Sequence, residues 1–254
     1  MSRYILWSNS SMGFSRFYHS GDLGADRQIT LSEQAAHHAT RVLRLKTDDR
    51  VTLFNGQGGE YEATIVQAGK KDVTVKTGAW LDRECESPLN MTLVQAISSG
   101  EKMDFTLQKA VELGVAAIQP VISSRSVVRL EGERALKRVQ HWQSVVISAC
   151  EQCGRNRVPL VAPIMSLNHW LEEKVTSTLK LTLSPYAKEG LKEIAAPQGP
   201  IVFLVGPEGG FSESEEVSAA VSGFIPVKLG QRVLRTETAA LAAISAMQML
   251  WGDF

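Results

Sequence analysis

The sequence predicts an α/β protein built on a mostly parallel sheet and preceded by a smaller β-rich domain. Three observations carry that expectation. From residue 91 onward, apolar runs of strand length alternate with helical stretches, as in a parallel sheet covered on both faces. Before them, short strand runs lie close together between clusters of turn residues, the pattern of an antiparallel meander. Two glycine-punctuated segments near the C-terminus each end a predicted strand and open a predicted helix, the position where parallel α/β sheets bind ligands.

In chain order, a helical stretch over residues 33–43 comes first, followed by strand runs at 51–54, 61–66 and 73–75. Asn55-Gly56-Gln57-Gly58-Gly59 and Gly69-Lys70-Lys71-Asp72 supply the turns between those strands. A small β-barrel or half-barrel results, with residues 1–13 as an N-terminal extension and a boundary near Ser87-Pro88, so the expected domains are 1–87 and 88–254. Five strands follow, at 91–97, 116–122, 179–183, 201–205 and 225–229.

The helices between them have readable ends. Ser98 and Glu101 have capping-box spacing, Gly114 sits where a left-handed cap belongs, and Met103, Leu107, Ala110 and Val111 make an apolar stripe between them. The next helix is expected to bury Leu136, Val139, Val146, Ala149 and Cys153 and to stop at Gly154. Ser212 and Glu215 repeat the capping-box spacing. On the last helix Leu241, Ile244 and Met247 recur at helical spacing, a stripe suited to core or interface.

Composition narrows the function classes. With 254 residues, 27 Lys+Arg and 27 Asp+Glu, the chain is neutral overall, so nucleic acid would have to be bound by a local patch rather than by bulk charge. The modest basic excess lies in residues 87–160. Cys85, Cys150 and Cys153 form an odd count with no secretory signal, which fits a reducing cytoplasmic compartment. No window approaches the roughly 18 consecutive apolar residues of a membrane helix. Cys150 and Cys153 have the spacing of half a zinc site but lack the other half, and the adjacent His37 and His38 face different directions, so no metal is expected.

The segment Leu204-Val205-Gly206-Pro207-Glu208-Gly209-Gly210-Phe211 reads as a ligand cradle: Pro207 removes a backbone donor, while the glycines permit positive φ and close backbone approach. It satisfies neither the Walker nor the dinucleotide fingerprint. The second segment, Leu229-Gly230-Gln231-Arg232-Val233-Leu234-Arg235-Thr236-Glu237-Thr238-Ala239, places two guanidiniums beside the free N–H groups of a new helix. A guanidinium matches paired oxygens or a developing enolate bidentately. Asp104, Gln108 and Glu112 share a stripe on the 101–113 helix, flanked by Lys102 and Lys109.

These two segments, LVGPEGGFSESE and LGQRVLRTETA, closely resemble the signature motifs of the SPOUT-class, trefoil-knotted methyltransferases, in the branch that methylates uridine N3 in small-subunit (16S) ribosomal RNA. The likeness extends to Phe17-Tyr18-His19 and to His38 through Arg44, similar to that branch's N-terminal PUA-like RNA-binding domain. It also takes in GEKMDFTLQKAVELG at residues 100–114 and ACEQCGRNRVP at 149–159. The resemblance implies a knotted C-terminal domain, a homodimer and S-adenosyl-L-methionine as cofactor. Its expected cofactor contacts are Leu183, Leu204, Gly206, Pro207, Glu208, Gly209, Gly210, Leu229, Gly230, Val233 and Leu234.

Uridine N3 carries a proton, so a base must remove it or a cation must stabilise the anion while N3 attacks the sulfonium methyl in line. Arg235, helped by Arg232, is the candidate cation, and Glu237 or Glu112 the candidate base. The leaving thioether is neutral, so the transfer needs no metal. Arg41 and Arg44, spaced to share a helix face, are candidates for gripping RNA phosphates, as are Lys102, Arg125, Arg155 and Arg157. The rival expectations are a non-catalytic rRNA-binding assembly factor, or a methyltransferase for a ribose 2′-hydroxyl or a tRNA base.

Overall fold

A computed structural model describes residues 14–69, 72–126, 130–173 and 177–254. Residues 1–13 and the Lys70-Lys71 pair therefore lie outside the described residues. The chain divides into two compact units, residues 1–85 with 151–157, and residues 86–150 with 158–254. Sequence reading assigned the 151–157 segment to the second domain.

In the first unit, β3 (Arg50–Phe54), β4 (Glu60–Ala68) and β5 (Val73–Leu81) form the expected antiparallel meander. Two further strands border it. β1 (Ser15–Tyr18) pairs parallel with β3, and β2 (Gln28–Thr30) pairs antiparallel with β5, giving the order β1-β3-β4-β5-β2. Both are too short to show a period in the sequence. Phe17, Val51, Leu53, Ile65, Val73 and Val75 make the core, covered by helix α1 (Glu33–His37), whose N-terminus Ser32 caps by accepting from Ala35 N.

A π-helical turn, His38–Val42, continues α1 as expected, but it ends before Arg44, which adopts φ +57°. Arg41 and Arg44 are both exposed, yet they do not share a helix face, because the left-handed residue turns the chain. His38 packs edge-on against Phe17 at 6.1 Å between centroids while His37 is exposed, so the adjacent pair does diverge.

The second unit is an all-parallel sheet containing the five expected strands. They are β6 (Met91–Ala96), β7 (Ala117–Ile122), β10 (Leu179–Leu183), β11 (Ile201–Val205) and β12 (Ile225–Val227). Two-residue strands β8 (Leu160–Val161) and β9 (Met165–Ser166) add to one edge, and the order is β12-β10-β11-β6-β7-β8 with β9 also on β7. β11 is buried at every position and β6 at all but one, as strands covered on both faces should be.

Helix α2 (Glu101–Glu112) is not capped by Ser98. Gly100, at φ +55°, is its N-cap with no side-chain bond, and Ser98 is buried with its hydroxyl unpartnered. Its apolar stripe is buried as expected, and Gly114 (φ +92°) ends it. A Cβ there would lie 2.6 Å from Gln248 Nε2 and 2.7 Å from Ser87 Cβ, so glycine is required by space as well as by φ.

Helix α3 (Gly132–Cys153) ends at Gly154 (φ +89°) as read, but its buried face is Trp142, Val146, Ala149 and Cys150. Leu136 is exposed and Val139 and Cys153 are only half-buried: the first turns of α3 face solvent, and near the end Cys150 rather than Cys153 joins Ala149 in the core. A short α4 (Leu167–Glu172), capped by Ser166, precedes β10 and has no counterpart in the sequence reading. Helix α5 (Glu213–Val221) carries the full capping box of Ser212 and Glu215. Helix α6 (Thr236–Trp251) buries Ile244 and Met247, with Leu241 half-exposed.

Candidate functional site

Three neighbouring strands, β12, β10 and β11, end side by side, and both glycine segments leave from those ends. Between them lies a cavity of about 560 Å³, within the roughly 300–1,000 Å³ typical of small-molecule sites. Leu183, Val205 and Val227 at the strand ends meet residues 206–211, and Leu229 with residues 232–236 closes the other side. Of the expected cofactor contacts, Leu183, Gly206, Pro207, Glu208, Gly209, Gly210, Leu229, Val233 and Leu234 line this cavity. Leu204 and Gly230 do not: Leu204 is fully buried one residue before Val205, and Gly230, at φ +77°, makes the turn whose neighbours form the wall.

Glycine in the first segment is explained by backbone conformation at Gly210, which needs its φ of +68° to close the turn, whereas a Cβ on Gly206 would meet Gly210 Cα at 3.4 Å and a ring carbon of Phe211 at 3.5 Å, ordinary contact distances. Three hydrogen-bond sets hold the cradle. Arg125 Nη1 donates to Gly209 O (2.9 Å) and Phe211 O (3.1 Å), so this guanidinium, expected to grip RNA, spends donors on the turn itself.

Glu215 accepts from Ser124 N (2.7 Å), Ser124 Oγ (2.8 Å), Ser212 N (2.8 Å) and Ser212 Oγ (2.9 Å). Burial alone would raise its pKa, but those donors outweigh it and hold the carboxyl below the usual range.

The third set was not legible in the sequence. Gln95, fully buried near the end of β6, donates from Nε2 to Thr236 Oγ1 (3.0 Å), and Thr236 Oγ1 donates to Gly206 O (2.6 Å). One amide and one hydroxyl thereby tie β6, the first glycine turn and the start of α6 together. Thr236→Val would leave a buried amide and carbonyl without this partner, at an expected cost of about 1–3 kcal/mol. Faster hydrogen exchange at the amides of residues 206–211 should report it, with Thr236→Ser close to the parent.

At the rim, Lys102 Nζ pairs with Glu208 Oε1 at 3.0 Å, and Ser99 Oγ approaches the same oxygen at 3.4 Å. Burial pushes the Glu208 carboxyl up. Its own backbone N–H together with Lys102 and Ser99 outweigh that, leaving it below the usual range and anionic at neutral pH. Arg232 and Arg235 both line the cavity and are exposed, with Arg235 at the N-cap of α6.

The two expected carboxylate bases are not in the lining. Glu112 lies ten residues along α2 from Lys102, about 15 Å by helical rise, and pairs with Lys109 at 2.7 Å. Glu237 follows Thr236 by one position, about 100° around α6, so Thr236 and Ala239 face the cavity and Glu237 does not. The lining carboxylates are Glu208 and Glu216.

The remaining candidate RNA contacts belong to the first unit. Arg155 is 5% exposed, and Asn156 is fully buried in a charge cluster with Arg16, Glu60 and Arg83. Arg155 is therefore an interior group, whereas Arg157 is exposed and approaches Glu84 at 3.9 Å. Sequence spacing could not separate these two arginines, because which one turns inward depends on the β-sheet that receives the segment.

A family model described as an RNA methyltransferase domain matches residues 85–248, and one described as an RNA methyltransferase PUA domain matches residues 31–77. The chain is similar to the ribosomal RNA small subunit methyltransferase E of Buchnera aphidicola subsp. Acyrthosiphon pisum, with 36% identity over 239 residues and 94% of each chain covered. Its likeness to the Bacillus subtilis protein of the same name is 29% over 239 residues, covering 89% and 93%.

Among solved structures, it resembles the Neisseria gonorrhoeae ribosomal RNA small subunit methyltransferase E bound to S-adenosyl methionine, with TM-score 0.88, 48% identity and coverage of 95% and 99%. A putative methyltransferase from Legionella pneumophila in complex with the same molecule gives TM-score 0.92 at 38% identity, again covering 95% and 99%. A matching catalytic model over most of the chain, and likeness that runs nearly end to end, lead to one conclusion: the chain belongs to the ribosomal RNA small subunit methyltransferase E family of RNA methyltransferases.

Proposed function

We propose that this protein transfers a methyl group from S-adenosyl-L-methionine to N3 of a uridine in small-subunit (16S) ribosomal RNA. One observation carries the reading: both glycine segments line a single cavity at the carboxyl ends of three parallel strands, with Arg232 and Arg235 on its wall. The donor set fits the cofactor. Main-chain groups of residues 206–210, 229 and 233–234, with the apolar strand ends, suit an adenine read without charged side chains. Glu208 and Glu216 place negative charge beside a cationic donor. When bound there, S-adenosyl-L-methionine supplies an electrophilic methyl on a sulfonium and departs as a neutral thioether.

The chain's own part is to hold the uracil and stabilise its anion. Arg235, with Arg232, faces the oxygens flanking N3 and makes loss of the N3 proton less costly. The absence of Glu112 and Glu237 from the lining favours this cation-assisted route over a dedicated carboxylate of α2 or α6. The proton leaves to Glu208 or to water. The exposed Arg41, Arg44 and Arg157 extend RNA contact to the first unit, read as a PUA-like RNA-binding barrel.

The finer architecture belongs to the same reading. Lys228 N donates to Glu189 O at 2.9 Å, so the chain leaving β12 runs beside the segment that follows β10. This supports a trefoil knot in the C-terminal part. Met249 and Leu250, exposed in the last turn of α6, and the exposed Phe254 beyond it support a homodimer. No described helix is long and apolar enough to cross a membrane, in keeping with work on ribosomal RNA in the cytoplasm.

The test is incubation of the purified protein with small ribosomal subunits and tritiated S-adenosyl-L-methionine, followed by mass spectrometry of the labelled nucleotide. Methylated uridine at N3 supports the reading. A label on a ribose hydroxyl, or RNA left unlabelled although bound, refutes it.

A further inference from the structure

The cavity has two depths with different chemistry. Its floor is buried strand ends and the glycine cradle, with Val205, Val227 and Phe211 all nearly inaccessible. Its rim is exposed: Tyr186 at 88%, Val233 at 79%, and the guanidinium residues Arg232 and Arg235. Tyr186 is the one exposed aromatic among the lining residues. It follows β10 in a turn where its N–H donates to Ser184 Oγ (3.3 Å) and Ala187 N donates to Ser184 O (3.3 Å), so the backbone is held while the ring stands in water.

A phenol left so exposed at the mouth of a site whose lining also includes an exposed valine and two arginines has the composition of a nucleotide-reading surface: a π-face and an apolar edge for a base, cations for its oxygens and phosphates.

The reaction requires such a surface. N3 of uracil lies on the pairing edge, so a base presented to a methyl donor deep in a cavity has to leave its stack. An extruded base loses the faces of its neighbours, and an aromatic ring at the cavity mouth replaces one of them. We propose that Tyr186 is the stacking platform for the extruded acceptor uracil, setting affinity for the RNA rather than for the donor. The inference rests on the functional reading above. The donor's own adenine is better served by the buried floor, where main-chain groups and small residues line the wall.

Tyr186→Ala and Tyr186→Phe separate the possibilities, since a side chain this exposed can be changed without disturbing the core. In steady-state methylation of purified small subunits, Tyr186→Ala should lower kcat/KM for RNA by roughly tenfold to a hundredfold. The loss should appear mainly in KM, with Tyr186→Phe close to the parent and donor affinity by calorimetry unchanged in both. If Tyr186→Ala methylates RNA with the parent's KM, the platform assignment is wrong. It is equally wrong if Tyr186→Ala weakens donor binding by the same factor as RNA methylation, since the ring would then cover the donor. A parent protein that leaves RNA unlabelled overturns the functional reading and this inference together.

Discussion

Arg235→Ala is expected to slow single-turnover methylation at saturating donor by about 10²–10³-fold, the effect of removing one preorganised stabiliser of developing negative charge. Arg235 is suited to this role by position. It is the N-cap of α6, exposed on the cavity wall, and makes no side-chain capping bond, so its charge is not committed to holding the helix. Donor affinity should change little, because the floor residues rather than Arg235 form the cradle. Arg235→Lys should fall between the two, since an ammonium keeps the charge but not the planar fork that meets paired oxygens. Full single-turnover rate in Arg235→Ala would refute the assignment, and a loss confined to donor binding would move Arg235 from the chemistry to the cofactor.

Glu60→Ala should destabilise the first unit by about 3–5 kcal/mol. Glu60 is the shared acceptor of two guanidiniums. Arg16 pairs with its Oε2 from a nearly buried position, and Arg83 with its Oε1 at 3.2 Å. Asn156 Nδ2 adds a bond to Oε2 at 3.3 Å, and Arg16 in turn donates to Asn156 Oδ1 at 2.6 Å. Removing the carboxylate leaves the Arg16 charge buried without its counter-ion. Hydrogen exchange of the β3–β5 amides measures the loss, and unchanged protection would show that the cluster contributes nothing net.

The same cluster makes the first unit sensitive to acid. Burial raises the Glu60 pKa, but the hydrogen bonds and charges of Arg16 and Arg83 outweigh it, so the folded value lies below the ordinary one. A depressed folded pKa means stability that is fully present above the unfolded carboxylate value, about 4.3. It is lost as pH falls through the folded value. Protection of the β3–β5 amides should therefore be flat near neutrality and decline below about pH 4, and Glu60→Gln should flatten that decline.

Much of this protein follows from local chemistry and was readable from residue order. β-strands buried on both faces have to be continuous apolar runs, so the five principal strands of the parallel sheet stood out. The Ser212 and Glu215 box and the stops at Gly114 and Gly154 are decided within a few residues. The cradle was legible because a backbone that must approach a ligand, or adopt positive φ, excludes side chains, and that leaves glycine in the sequence.

What only the tertiary structure decided is how distant segments share space. Sequence spacing could not tell that Gln95 reaches Thr236, that Arg125 serves the turn at Gly209, or that Arg155 is interior while Arg157 is exposed. Each depends on contacts between segments far apart in the chain. The same holds for the carboxylates: Glu112 and Glu237 have the right chemistry, but α2 extends away from the cavity and the helical repeat carries Glu237 off the face that Thr236 and Ala239 present. Residue type fixes what a side chain can do, and packing fixes which partner it meets.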